Sequence, residues 1–265
     1  MPLLEFRHLA KKKFQQSVPM ADRQTLNHKK IKGIVALALA FVAGAVDIIG
    51  YISFGGIFPA HLTGDTVHLG QHILDRQWSE ALSAGVVILA FLVGSLVGRT
   101  AIEVGSRMKV RSIATATLLL EGGLLFVVIL LKSESQFLLL GLLAAAMGMQ
   151  TATLTRVGPL TIHTTFVTGM LNKLAQLLSH AMFLTYDVFR GSQKALGSRL
   201  RVVRRARFIF SVWFLYLLGA IAGTWARALW KMHALWLPIC LITVVIFVDL
   251  IFPLSIEEER EASER

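Results

Sequence analysis

The chain has 265 residues, of which 55% are hydrophobic and only 16% charged, with a mean hydropathy of +0.64; this excludes an ordinary soluble domain and indicates an integral membrane protein. The formal net charge of +11 does not point to nucleic acid, because the Lys and Arg residues stand in blocks between apolar runs, as orientation in a bilayer requires. A single cysteine, Cys240, excludes an intrachain disulfide and reads as a packing residue inside an apolar run.

In chain order, residues 1–32 are polar and basic, and Pro19 argues against one helix through all of them; they read as a cytoplasmic basic tail. A membrane span needs about 20 apolar residues. Six runs approach that length, at 33–54, 82–98, 113–131, 137–154, 208–227 and 235–254. Gly141 and Gly148 interrupt the fourth, which is predicted to bend or break. The first repeat is set at 33–132, the second at 133–254, and an acidic cytoplasmic tail at 255–265. With the N-terminus inside, 23 of the 27 Lys and Arg residues fall on the cytoplasmic side and 4 outside, so both termini are expected in the cytoplasm.

Two motifs recur. Thr63-Gly64 corresponds to Thr168-Gly169, and the Gly94/Gly98 pair of the second span to Gly219/Gly223 of the fifth. Each half holds an odd number of crossings, so the second must be inserted upside down relative to the first. The predicted fold is an all-α integral membrane protein with six transmembrane helices in two inverted-topology three-helix repeats. Each repeat carries a broken or short polar-motif helix after its first span.

The segment Ala43-Gly-Ala-Val-Asp47-Ile-Ile-Gly-Tyr51, followed by His61-Leu-Thr-Gly64, Met147-Gly-Met-Gln150 and Thr164-Thr-Phe-Val-Thr-Gly169, resembles the YoaK family of bacterial membrane proteins, also called DUF1275. The resemblance covers residues 33–254 and implies a six-span, multi-pass protein of the bacterial inner membrane, without naming an activity. Asp65 departs from the family's usual Thr-Gly-Asn, and Gln150-Thr151 from its usual Gln-Asn.

Asp47 lies deep in the first span, where a carboxylate costs about 2.5–3.5 kcal/mol even on the lenient insertion scale. It reads as a proton or cation site, or as a carboxylate tied to Ser, Thr or Gln of a neighbouring helix. Glu121 sits near the middle of the third span, and Asp249 towards the cytoplasmic end of the sixth, within reach of the interface. In a helix, His61, Asp65, His68 and His72 form one stripe; the three histidines are then weak metal candidates, or the polar face of an outer helix meeting water. A helix starting at a Thr-Gly break points its positive end at the membrane interior. The expected solute or ion site therefore joins Asp47, Thr63, Gly64, Asp65 and Glu121 to a second wall of Gln150, His163, Thr164, Thr165, Thr168, Gly169 and Asn172.

The resulting reading is a secondary transporter or channel for a small polar or ionic solute, with Asp47 and Glu121 coupling to protons or cations and the site near the midplane between the Thr-Gly motifs. No phosphate-binding Gly-x-x-x-x-Gly-Lys motif occurs, and neither a cofactor nor a catalytic residue is assigned. The alternatives are a membrane-embedded metal-dependent enzyme using Asp65, His68 and His72, or a structural or regulatory protein acting through the Arg-rich stretch 190–207. That stretch also suits anionic lipid headgroups. The paired glycines serve packing inside the chain or a homodimer.

Overall fold

The computed structural model describes residues 20–108, 110, 112–131, 135–153, 156, 157, 160, 161 and 165–253. The first helix, α1 (Met20–Ser53), begins straight after Pro19 in the sequence and runs unbroken through the basic segment into the first apolar run. Its end is abrupt because Gly55 (φ 67°) and Gly56 (φ 91°) adopt left-handed backbone, which a side chain disfavours. Pro59 then packs against Gly50, turning the chain back along α1. There follow α2 (Leu62–Leu74), α3 (Trp78–Arg107), α4 (Ile113–Leu130) and α5 (Gln136–Thr153). A two-residue antiparallel ladder, β1 (Arg156–Val157) with β2 (Leu160–Thr161), is a small addition to the all-α expectation. The chain continues with α6 (Val167–Phe189), α7 (Gln193–Trp230), a 3-10 turn (Lys231–Leu235) and α8 (Trp236–Ile251).

Among the described residues, Lys30–Ser53, Trp78–Arg107, Gln136–Thr153 and the continuous helical stretch Gln193–Ile251 are long and apolar enough to cross a membrane. Ala114–Leu130 is a shorter apolar helix. The chain is a multi-pass helical membrane protein.

Packing follows the small residues. Helix α1 lies against α7, α3 against α5, and α4 against α5 and α8, while the short α2 covers α3 and α6 covers α7. Both long seams are drawn so tight that a Cβ at any of four glycines would collide with a carbonyl of the facing helix. These contacts are Gly44 on Tyr216, Gly219 on Phe41, Gly94 on Ala145 and Gly148 on Phe91. Gly98 and Gly223 extend the seams beside the backbone of Met149 and Ala45. With no hydrophobic drive between helices in lipid, such close approach supplies the van der Waals contact that holds a bundle together.

Three expectations are corrected. Helix α5 is not broken at Gly141 or Gly148, because those glycines serve close contact with α3, beside Val86 and Phe91. Cys240 is exposed on the surface of α8 rather than packed in the core. Asp249 is buried and structural: its Oδ2 accepts the Thr115 N–H (2.9 Å) and the Thr115 hydroxyl (2.7 Å). It thereby satisfies one of the amide donors left open in the first turn of α4.

Candidate functional site

Asp47 lies a turn and a half before the end of α1 and is almost wholly buried, at 2% exposure. The chain reversal after α1 brings the Ala60 amide back to it, donating to Oδ1 at 3.0 Å. From the opposite side Tyr216 of α7 donates its hydroxyl to Oδ2 at 2.6 Å. Both carboxylate oxygens are therefore held by donors, which makes burial of this group tolerable. One helical turn into α2, Asp65 is also buried, at 3% exposure, and its Oδ2 has no hydrogen-bond partner among the described residues. Helix α2 is too short to span; on it, burial first and the neighbouring Asp47 charge second push the Asp65 carboxyl up to about 7. Two buried acids thus stand on different elements, and among the described residues hydrogen-bond donors are found for Asp47 alone.

The rest of the predicted stripe does not join them. His61 is exposed, edge-on to Phe58. His68 and His72 stack on each other, with ring centroids 6.0 Å apart, and His72 Nδ1 bonds Gln77 Oε1 at 2.6 Å. No metal-holding group of three or more His, Cys, Asp or Glu residues forms among the described residues. Thr63 is exposed, and Gly64 sits near the His61 ring.

In the second half, His163 and Thr164 lie outside the described residues. Thr165 is half-buried, and its hydroxyl bonds that of Thr151 at 2.9 Å. Thr168 and Asn172 are exposed on α6, and Gly169 lies under the Phe166 ring. Because α2 packs on α3 and α6 on α7, the two Thr-Gly turns belong to different helix pairs. Gln150 is buried on α5 and donates to the Leu39 carbonyl of α1 at 2.6 Å, tying these two helices together.

Glu121 stands apart from the Asp47 cluster on α4. It is completely buried, and neither carboxylate oxygen has a hydrogen-bond partner among the described residues. One turn towards the α4 N-terminus, Thr117 receives the Thr153 hydroxyl at 2.9 Å. The cluster at α1, α2 and α7 can hold a proton or a small cation; Glu121 offers a second buried carboxyl with no donor to stabilise its charge.

Sequence reading missed Tyr216, which lies in an ordinary apolar stretch of α7. The available signal was its position 125 residues beyond Phe91, matching the spacing of Gly94 and Gly219, with a hydroxyl added in mid-helix.

Comparison with known proteins finds relatives of this chain. The model of the family described as "Protein of unknown function (DUF1275)" matches residues 35–248. The UPF0700 transmembrane protein YoaK of Bacillus subtilis (strain 168) is 30% identical over 208 residues, covering 77% of this chain and 88% of that protein. No solved structure matches.

Proposed function

The chain belongs to the DUF1275 family, and on that premise we propose that it is a secondary transporter for a small polar or ionic solute. In this reading α1, α3, α4, α5, α7 and α8 cross the bacterial inner membrane as two inverted three-span halves with both termini cytoplasmic, as the placement of 23 of 27 basic residues supports.

Packing supports the repeat. Gly94 and Gly219 are 125 residues apart, as are Phe91 and Tyr216, while Phe41 and Ala145 are 104 apart, as are Gly44 and Gly148. Exchanging the halves by these shifts turns the Gly94–Ala145 contact into Gly219–Phe41, and Gly148–Phe91 into Gly44–Tyr216. Contacts that interchange in this way are what a two-fold axis in the membrane plane produces. Near that axis α4 runs antiparallel to α8, with Thr115 against Asp249 and Gly122 beside Ile242. With the shift of 125, the level where α4 meets its own counterpart falls between Leu119 and Leu120, next to Glu121.

One observation carries the transport reading: the buried acids are not needed by the scaffold that holds them. The positions equivalent to Asp47 and Asp65 are Thr151 and Met170, 104 and 105 residues on. Thr151 makes the same kind of tie to the segment before α6, through Thr165, that Asp47 makes through Ala60. Met170 is buried as deeply as Asp65, without charge. A neutral residue suffices at each place, so the charge in the first half serves binding rather than folding. The test is reconstitution in liposomes with an imposed pH gradient and a panel of small solutes. Flux that Asp47→Asn abolishes supports transport; absence of flux, or flux indifferent to Asp47, overturns it.

A further inference from the structure

We propose that the far end of the α6–α7 hairpin, residues 180–202, is a membrane-surface arm whose apolar face seats in the headgroup layer of an anionic bilayer. The arm then anchors the second half of the bundle to that leaflet. The proposal takes its topology from the inverted-repeat reading, on which it rests, and adds a lipid partner. The two halves match on either side of this arm but not through it. Thr63-Gly64 and Thr168-Gly169 are 105 residues apart, whereas Gly94 and Gly219 are 125 apart. The turns joining the paired helices have the same construction. Asp75 and Arg190 each donate an amide four residues back, to Gln71 and Tyr186, and the residue after each has left-handed backbone (Arg76, φ 57°; Gly191, φ 90°). Gln77 and Ser192 then donate five residues back, to His72 and Asp187. These turns are 115 residues apart, so ten residues have been added on each side of the second one, 180–189 in α6 and 193–202 in α7. Ten helical residues lengthen the hairpin by about 15 Å.

The added length has two unlike faces. On α6, Leu171, Leu178, Met182 and Phe189 recur at helical spacing and are all exposed, Phe189 at 85%. On α7, exposed Leu196 and Leu200 continue the line of Phe210 and Phe214. The seam between the two helices runs through the more enclosed positions, Ala181 and Val188 on α6, Ala195 and Ala206 on α7. At about 100° per residue, each apolar line stands roughly a quarter-turn from that seam in the same rotational sense. In an antiparallel pair this puts both lines on one face. His180 and Asp187 of α6, with Lys194, Arg201 and Arg205 of α7, fall on the other, the division expected of a helix lying in a membrane interface. Two observations select lipid as the occupant. The exposed line of α7 runs from Leu196 to Trp225, about 44 Å along the axis, which matches a bilayer with its headgroup layers at about 40–45 Å. The arm therefore continues the lipid-facing surface of the span. Residues 180–207 also hold seven Lys and Arg against the single acid Asp187, and Arg204 and Arg207 border the apolar line where arm meets span. Such a balance attracts anionic headgroups and sets two copies of the arm against each other.

The experiment places single spin labels at Met182, Phe189 or His180, all exposed, in a Cys240→Ala background of the full chain, held at one copy per nanodisc. Collision with oxygen, which dissolves in lipid, is compared with collision with a water-soluble nickel chelate. In discs containing phosphatidylglycerol, the labels at Met182 and Phe189 should be shielded from the chelate about fivefold or more relative to His180. Each basic residue at an anionic surface contributes about fivefold to seating, so Arg204→Gln with Arg207→Gln should weaken it roughly twentyfold and return both labels to water. Discs of phosphatidylcholine alone should do the same. Labels at Met182 and Phe189 that are as open to the chelate as His180 in anionic discs overturn the arm, as does shielding indifferent to both the lipid and the two arginines. Shielding that arises only with two copies per disc makes this face a contact between copies and overturns the lipid assignment. Because collision is read without flux, a seated arm on a chain that transports nothing defeats the transport reading alone. Flux with an unseated arm defeats the arm alone.

Discussion

Replacing Gly94 or Gly219 by alanine tests the geometry on which the two-fold reading stands. Each substitution adds one methyl group directly over a facing carbonyl, that of Ala145 for Gly94 and of Phe41 for Gly219. Backbone cannot step aside as a flexible side chain can, so the seams α3–α5 and α1–α7 must open along their length. Overpacking of this kind costs about 1–3 kcal/mol, offset by the roughly 0.5–1 kcal/mol that alanine gains over glycine within a helix. The net expectation for each variant is a loss of about 1–2 kcal/mol, similar for both because each added methyl meets a facing carbonyl in the same way. Gly85→Ala is the control: it lies in α3 with nothing near the added methyl, so only the helix preference remains and the variant should be slightly more stable. Reversible unfolding by a denaturing detergent in mixed micelles gives all three values. If Gly94→Ala and Gly219→Ala are as harmless as Gly85→Ala, the seams are not as tight as described. If one is costly and the other neutral, the equivalence of the halves fails.

Tyr216→Phe removes the hydroxyl from Asp47 and leaves a buried carboxyl with one donor fewer; the same unfolding assay should show a loss of about 1.5–3 kcal/mol, the range for a hydrogen bond to a charged group. Thr115→Val, which deletes the hydroxyl bonded to Asp249 but keeps the backbone bond, should cost roughly 1 kcal/mol without changing the solute dependence of any flux. Glu121→Leu replaces a fully buried carboxyl having no hydrogen-bond partner among the described residues, and should raise stability by about 1–3 kcal/mol. In the liposome assay the same variant should lose activity, the trade expected where a polar group is retained for function.

The sequence by itself determined the class of protein and the places of its helices. Apolar runs are legible without knowledge of neighbours because the bilayer imposes their length, and each of the six runs lies wholly or largely within a helix. The repeated Thr-Gly and paired glycines were equally legible, as was the isolation of Asp47 within an apolar run. Periodicity could place Asp65 with His68 and His72, but it could not say that α2 turns Asp65 inward and leaves His68 outside. Nor could it show that Asp249 caps α4, or that Gly148 marks a contact rather than a break.

Those facts depend on what approaches from other parts of the chain. Asp47 gains the Ala60 amide only because two left-handed glycines and Pro59 fold the chain back along the end of α1. Tyr216, 169 residues from Asp47, reaches it only because Gly44 and Gly219 let α1 and α7 close to backbone contact. Hydropathy is a property of each segment, whereas a buried charge is tolerated or rejected according to the donors that packing brings to it. Tertiary structure therefore decided which of the predicted polar residues form a site and which meet water.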